Sequence, residues 1–233
     1  MCDISLANRS LANHPPGQLF ATGLSVDYGT SMLVGKPGSA ADQGDGTDVS
    51  SSSPVIGKQE LSSEIKLGMR FPSYQVINQA DGRAWEFQQK LKSDGRFRII
   101  VFAGNVTNAQ QSVRLKTFCQ ALESSQVLAP HLGKNIEVLT LHSSKWKEVE
   151  LLRDLPDILH PFDAKTGWDY DSVYADDANP FEGFGDAYKG YGVDRERGCV
   201  VVARPDQYVG YIDEVDGEGC KGVEGYFKGI FAL

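Results

Sequence analysis

Four cysteines and four histidines are the side chains of this sequence best able to do chemistry, and their spacing limits what they can do. Cys2, Cys119, Cys199 and Cys220 stand far apart and no C-x-x-C occurs, so neither a zinc knuckle nor a dithiol redox pair forms locally. Cys119 and Cys199 lie in apolar segments, where a free cysteine behaves as a small hydrophobe. Both are expected to be reduced core thiols, which fits a cytoplasmic protein. His14, His131, His142 and His160 are scattered without ligand spacing and read as surface or packing histidines. Acid–base catalysis needs a proton donor and acceptor in one pocket. In the body of the chain only His142, closing an apolar run, and His160-Pro-Phe-Asp163 offer such groups. The simpler reading makes His142 a strand-end surface residue and Asp163 a cap. Arg204-Pro-Asp206 and Asp194-Arg-Glu-Arg197 read as turns with local ion pairs. No catalytic, cofactor or metal set is therefore expected, with His142, His160 and Asp163 kept as the alternative.

The 25 glycines invite a search for phosphate loops. No G-x-G-x-x-G is expected to open a helix directly after a strand, and the G-x-x-x-x-G-K-[ST] loop is not found. Gly183, Gly185, Gly190 and Gly192 are irregularly spaced and read as a plain loop. G-x-S-x-G and H-E-x-x-H are absent as well.

Composition narrows the class further. Hydrophobic residues make up 41% and charged residues 23% of 233, an ordinary globular balance with enough chain for a real core. The net charge of −8, with no basic run, argues against sequence-independent binding to nucleic acid or to an anionic membrane. No apolar run approaches the roughly 20 residues of a membrane-spanning helix, and the first residues do not read as a secretory signal.

The elements that would position any site can be read in order. Residues 1–34 form an arm, in which Leu19 to Tyr28 alternates like a short strand. Residues 35–66 form a polar linker or loop. Its stretch to Lys58 is rich in Gly, Ser and Asp, cannot bury enough to offset its ordering entropy, and is expected to be mobile. The compact domain covers 67–233. It opens with a short strand ending in the Asp81-Gly82 turn, then a short helix from Trp85 to Lys92 with Trp85 and Leu91 inward. Phe97 to Ala103 is apolar throughout and predicts a central strand. Ala109 to Ser124 predicts an amphipathic helix with Val113, Phe118 and Leu122 inward, and Ile136 to His142 a second buried strand. Strand, helix, strand at this spacing makes a right-handed parallel unit. Val149 to Leu155 reads as strand or turn, Leu155 to Phe162 as a helical turn, and Val173 onward as a brief strand. Gly198 to Arg204 and Tyr208 to Ile212 form a hairpin, and Val223 to Phe231 a closing helix.

This order is that of a thioredoxin-like α/β sandwich, and Gly68-x-x-Phe-Pro followed by an Asp-Gly turn points to its peroxiredoxin-type elaboration. The chemistry of that fold sits after the first buried strand, where a helix N-terminus stabilises a thiolate. Here that place holds Asn105-Val-Thr-Asn108. A dithiol enzyme needs cysteine at both ends of the tetrad, and a peroxidase needs Thr-x-x-Cys, whereas Thr107 is followed by Gln110. Tyr191-Gly-Val-Asp194 lacks the proline that thioredoxins place before the hairpin. Disulfide and peroxide chemistry are not expected.

Longer strings carry a family resemblance. Arg70-Phe-Pro-Ser, Val76-Ile-Asn-Gln-Ala-Asp81, Arg98-Ile-Ile-Val-Phe-Ala-Gly104, Ile136-Glu-Val-Leu-Thr140, Ile158-Leu-His-Pro-Phe-Asp163, Lys165-Thr-Gly-Trp-Asp-Tyr170 and Tyr191 to Tyr208 closely resemble the C-terminal domain of fungal phenol 2-monooxygenase, a flavin-dependent aromatic hydroxylase. The resemblance spans roughly residues 19–233. It implies a thioredoxin-like domain at a subunit interface, hence a homodimer, and the aromatics Trp168, Tyr170, Tyr174, Phe181 and Phe184 are candidates for its exposed surface. The family's FAD and substrate domains have no counterpart in these residues, so none of their site residues carries over and no cofactor is expected.

Two functions follow from the resemblance. One is a non-catalytic module acting by association, with a separate flavoprotein chain as a further partner. The other is a free-standing enzyme or binder of isomerase, cyclase or lyase type, acting without flavin on an aromatic or polyketide-like molecule. The vacant redox position favours the first.

Overall fold

The computed structural model describes residues 26–37, 55–178 and 185–231. The strand expected over 19–28 lies mostly outside these residues, as do Cys2, His14, Phe181, Phe184 and the middle of the expected linker.

The fold is built outward from β3 (Phe97–Gly104), which is buried from Arg98 onward. A run of Ile, Val and Phe buried on both faces is what a central strand requires. The chain turns through Asn105–Asn108 into α1 (Ala109–Ser124), where the Asn108 side chain accepts the Gln110 N–H as an N-cap. It returns as β4 (Ile136–His142), parallel to β3 from the Phe97↔Ile136 pair to the Gly104↔His142 pair. On the other side of β3, β8 (Cys199–Ala203) runs antiparallel and forms a hairpin with β9 (Val209–Asp213). The closing helix α4 (Gly217–Phe231) packs against α1. A parallel strand–helix–strand unit joined to an antiparallel hairpin and a helix is the thioredoxin-like arrangement.

Three short strands widen the sheet: β1 (Gln75–Asn78), β2 (Ala84–Glu86) and β7 (Val173–Ala175), giving the order β2-β1-β7-β4-β3-β8-β9. A separate hairpin pairs β5 (Phe162–Asp163) with β6 (Gly167–Trp168). Two short helices, α2 (Leu151–Asp154) and α3 (Ala187–Tyr191), complete the chain. Alternate residues of the central strands feed two cores, as the pleat dictates. Ile99 and Val101 join Leu115, Phe118, Leu122 and Phe227 on the helical face. Ile100 and Phe102 join Phe71, Phe87, Tyr188 and Tyr191 on the other.

Several expectations are corrected. Trp85 lies in β2, opposite Val76, rather than in a helix, because the turn closed by Gly82 (φ +70°) sends the chain straight back antiparallel. The helical turn is 3-10 and starts at Phe87. Val113 is 64% exposed. It sits roughly 140° around the helix from Phe118 at 3.6 residues per turn, while Leu115, Phe118, Cys119 and Leu122 form the inward stripe. Tyr174 is buried rather than exposed: β7 runs between β1 and β4, and its ring meets Phe87 edge-on at 5.4 Å. Of the two readings of Val149 to Leu155, strand or turn, the structure has the turn, a single helical one at α2. The glycine-rich segment is not all loop, since Ala187–Tyr191 is helical and ends at Gly192 (φ +65°).

The described parts of the expected linker 35–66 pack on the sheet. Gly35 N–H bonds to the Gly210 carbonyl at 2.8 Å, Lys58 N–H to the Ile212 carbonyl at 2.8 Å, and Ile65 is fully buried. These contacts cover the outer edge of β9, which would otherwise present unpaired backbone groups.

Candidate functional site

The place to look for chemistry is the carboxyl end of the parallel strands β3, β4 and β7. In this structure it is filled by internal hydrogen bonds. Gly104 ends β3 with φ +68°, and a Cβ there would lie 2.4 Å from the Glu196 carbonyl oxygen, so only glycine fits. Its N–H donates to the Tyr188 hydroxyl at 2.8 Å, and that hydroxyl donates to the Leu141 carbonyl at 2.7 Å. One buried phenol thus ties the ends of β3 and β4 together. Burial pushes the Tyr188 hydroxyl well above the ordinary phenol range, so it stays neutral.

The asparagines that replace the expected cysteines are also engaged. Asn105 Oδ1 accepts from the Thr107 hydroxyl at 2.7 Å and the Ser144 hydroxyl at 3.0 Å, and its Nδ2 donates to Glu196 at 3.1 Å. Asn108 caps α1. Gln111 is buried and donates to the carbonyls of Ala103 and Arg197, each at 2.8 Å. Below them Asp176, whose side chain is fully buried, accepts the N–H groups of Ala187 at 2.7 Å and Tyr188 at 3.0 Å. It also pairs with Arg195, whose second nitrogen donates to the Ser143 carbonyl at 3.1 Å. These contacts orient structure. None presents a nucleophile or a free acid–base pair.

The described cysteines do not fill the gap. Cys119 lies on the buried face of α1 and Cys199 begins β8 opposite Phe102. Burial pushes both thiols far up, away from the reactive thiolate. Burial also raises Cys220, to about 12. Among the described residues no three His, Cys, Asp or Glu side chains gather to hold a metal, and no helix is long and apolar enough to cross a membrane.

The three alternative site residues have separate partners. His142 is fully buried, not a surface residue. Its Nε2 lies 2.8 Å from Gln79 Oε1; because the Gln79 amide nitrogen donates to the carbonyls of Trp146 and Val149, the His ring is the donor in this pair. His160 is buried, with Nε2 on the Leu155 carbonyl at 3.2 Å. Asp163 is exposed and caps the β5–β6 turn, accepting from the N–H groups of Lys165 and Thr166 at 2.8 and 3.0 Å. These bonds hold its pKa below the usual carboxylate range.

Burial draws the His142 pKa from 6.5 down to about 4. From pH 6.5 down to about 4 the unfolded chain therefore takes up a proton that the folded chain excludes. Stability from the neutral ring is complete above pH 6.5 and falls as the pH drops through this window, by on the order of 3 kcal/mol. His142→Gln is expected to flatten that part of the curve of unfolding free energy against pH, measured in urea. Parallel curves for the two proteins would show that His142 does not titrate on unfolding.

One glycine motif corrects the expectation. Gly217-Glu-Gly-Cys-Lys-Gly222 is a G-x-G-x-x-G that follows β9 and opens α4, which begins six residues earlier than Val223. Three glycines in six residues weaken the helical signal, so sequence pattern alone starts the closing helix only at Val223. Here the glycines serve packing. A Cβ at Gly219 would lie 1.9 Å from the Glu214 carbonyl oxygen, and one at Gly222 would lie 2.2 Å from Asp213 Oδ2. The helix end is already capped, since Asp216 Oδ1 accepts the Gly219 N–H at 2.9 Å. Asp213, Glu214, Asp216 and Glu218 surround it and hold the nearby cations Lys58, Arg114 and Lys221 in ion pairs, so the phosphate of a dinucleotide would have to displace carboxylates from the donors it needs. The motif does not fit a flavin.

A second feature is an open groove of about 660 Å³ beside Gln79, walled by Trp146, Leu152 and Tyr170. Its wall is fixed. The Trp146 indole N–H donates to the Gln79 carbonyl at 2.8 Å, and its backbone N–H to Asp177 at 3.0 Å.

The model of a family described as phenol hydroxylase, C-terminal dimerisation domain, matches residues 26–233. The chain is 32% identical over 200 residues to phenol 2-monooxygenase fsqG of Aspergillus fumigatus, covering 86% of this chain and 31% of that protein. It is 39% identical over 166 residues to the FAD-dependent monooxygenase ankC of Aspergillus thermomutatus, covering 70% of this chain and 26% of that one. The chain thus spans about a third or less of the length of these relatives. Among solved structures, a thioredoxin-like protein from Bacteroides caccae aligns with a TM-score of 0.49 and 13% identity, over 72% of this chain and 51% of that one.

Proposed function

The chain belongs to the phenol hydroxylase C-terminal dimerisation domain family, and from this premise we propose that it is a redox-silent association module. It pairs with a second copy of itself as a homodimer and contributes no electron or oxygen chemistry. In a working hydroxylase that chemistry belongs to a flavin-binding part such as the relatives named as FAD-dependent have. The observation that carries this reading is the filled site. Where a thioredoxin-type enzyme exposes a thiolate, this chain has Asn105 and Asn108 bound to their neighbours and a tyrosine bridging two strand ends. Side chains alone cannot activate oxygen for hydroxylation, which needs a cofactor. Buried Cys119, Cys199 and Cys220 support a reducing, cytoplasmic setting.

Purified alone, the protein is expected to be colourless. It should not consume NADPH with phenol, reduce insulin disulfides or remove peroxide. A bound flavin spectrum would overturn the reading, and so would thiol-dependent loss of peroxide abolished by Cys119→Ser or Cys199→Ser.

A further inference from the structure

Building on the self-association reading, we propose that the second copy docks on the groove walled by Trp146, Leu152 and Tyr170. In this dimer Lys147 and Glu150 pair reciprocally across a two-fold axis. Leu152 is 48% and Tyr170 51% exposed, so two large apolar side chains face one groove. Trp and Tyr are the side chains that most often anchor interfaces. The hydrogen bonds from Trp146 and Gln79 hold the wall in place, so little ordering has to be added on docking.

Charge identifies the occupant. Lys147 and Glu150 are exposed on the groove, and neither makes a side-chain hydrogen bond or ion pair among the described residues. Arg153 beside them closes on its own neighbour Asp154 at 2.8 Å. In a two-fold dimer one patch meets its own copy, so the patch must carry both signs to be complementary to itself. This patch does: Lys147 of one copy can face the partner's Glu150, and the reverse. With a net charge of −8 two copies repel on average, so a local patch of mixed sign favours approach there over approach elsewhere.

Sedimentation velocity over a range of concentrations tests this, with circular dichroism confirming that each variant folds. Leu152→Asp and Tyr170→Asp each put an unpaired charge into the contact and are expected to weaken dimerisation about 100-fold or more. Lys147→Glu or Glu150→Lys alone sets like charges together twice per dimer and is expected to weaken it about tenfold. The double reversal Lys147→Glu with Glu150→Lys restores opposite signs and should return affinity to within roughly threefold of the parent. Val113→Asp, on α1, should change nothing. A parent protein that is monomeric throughout would overturn the self-association reading itself. A dimeric parent unaffected by Leu152→Asp and Tyr170→Asp would overturn this face alone. Single reversals without effect, or a double reversal without rescue, would overturn the reciprocal pairing.

Discussion

Adding one methyl group at Gly198 is expected to cost the fold about 4 kcal/mol or more, placing Gly198→Ala among the most damaging single substitutions. Two effects combine. The residue has φ +64°, a conformation that costs a non-glycine residue about 1–2 kcal/mol. The larger effect is steric, because a Cβ there would lie 1.8 Å from the Phe102 carbonyl oxygen and 2.9 Å from the Gly104 nitrogen. Both are backbone atoms of the central strand and cannot rotate away. Gly198 ends the turn in which Asp194 accepts the N–H groups of Glu196 and Arg197, and that turn brings Glu196 onto Gly104 and Asn105. The substitution therefore pries β8 from β3 at the filled site. Urea unfolding should show the midpoint falling sharply, or no folded protein at all. A loss below about 1 kcal/mol would contradict this steric account.

Asp176→Ala is expected to cost about 3 kcal/mol, since removing one partner of a buried pair strands the other groups. The carboxylate caps α3 through two N–H groups and holds Arg195. Arg195 is 43% exposed and can turn to water, so the main penalty falls on the two buried N–H groups. Asp176→Asn keeps one acceptor oxygen and should lose about half as much. Arg195→Ala should cost less than Asp176→Ala, because it leaves the cap intact. If Arg195→Ala proved the worse of the two, the ion pair rather than the cap would be the source of the stability.

The parts of this fold that sequence reveals are those whose burial is nearly complete. Phe97 to Gly104, Ile136 to His142 and the hairpin from Cys199 show as apolar runs because both faces of each strand are covered. The bounds of α1 match the expected Ala109 to Ser124, although Val113 lies off its buried stripe. Where one neighbour decides the outcome, the pattern fails. Trp85 becomes strand because β1 is opposite it, and Gly217 to Gly222 becomes helix because Asp216 caps it and β9 presses on it. The site divides in the same way. Its vacancy is legible in Asn105 and Asn108, two residues at known places. What fills it is not, because Tyr188, Asp176 and Arg195 reach it from distant segments and only the folded sheet brings them together.

Light scattering on the purified chain at micromolar concentrations tests the association reading most directly. A mass of about 51 kDa, twice the 25.5 kDa of one chain, is expected, together with a spectrum free of flavin absorption. A constant mass near 25.5 kDa across that range would contradict it.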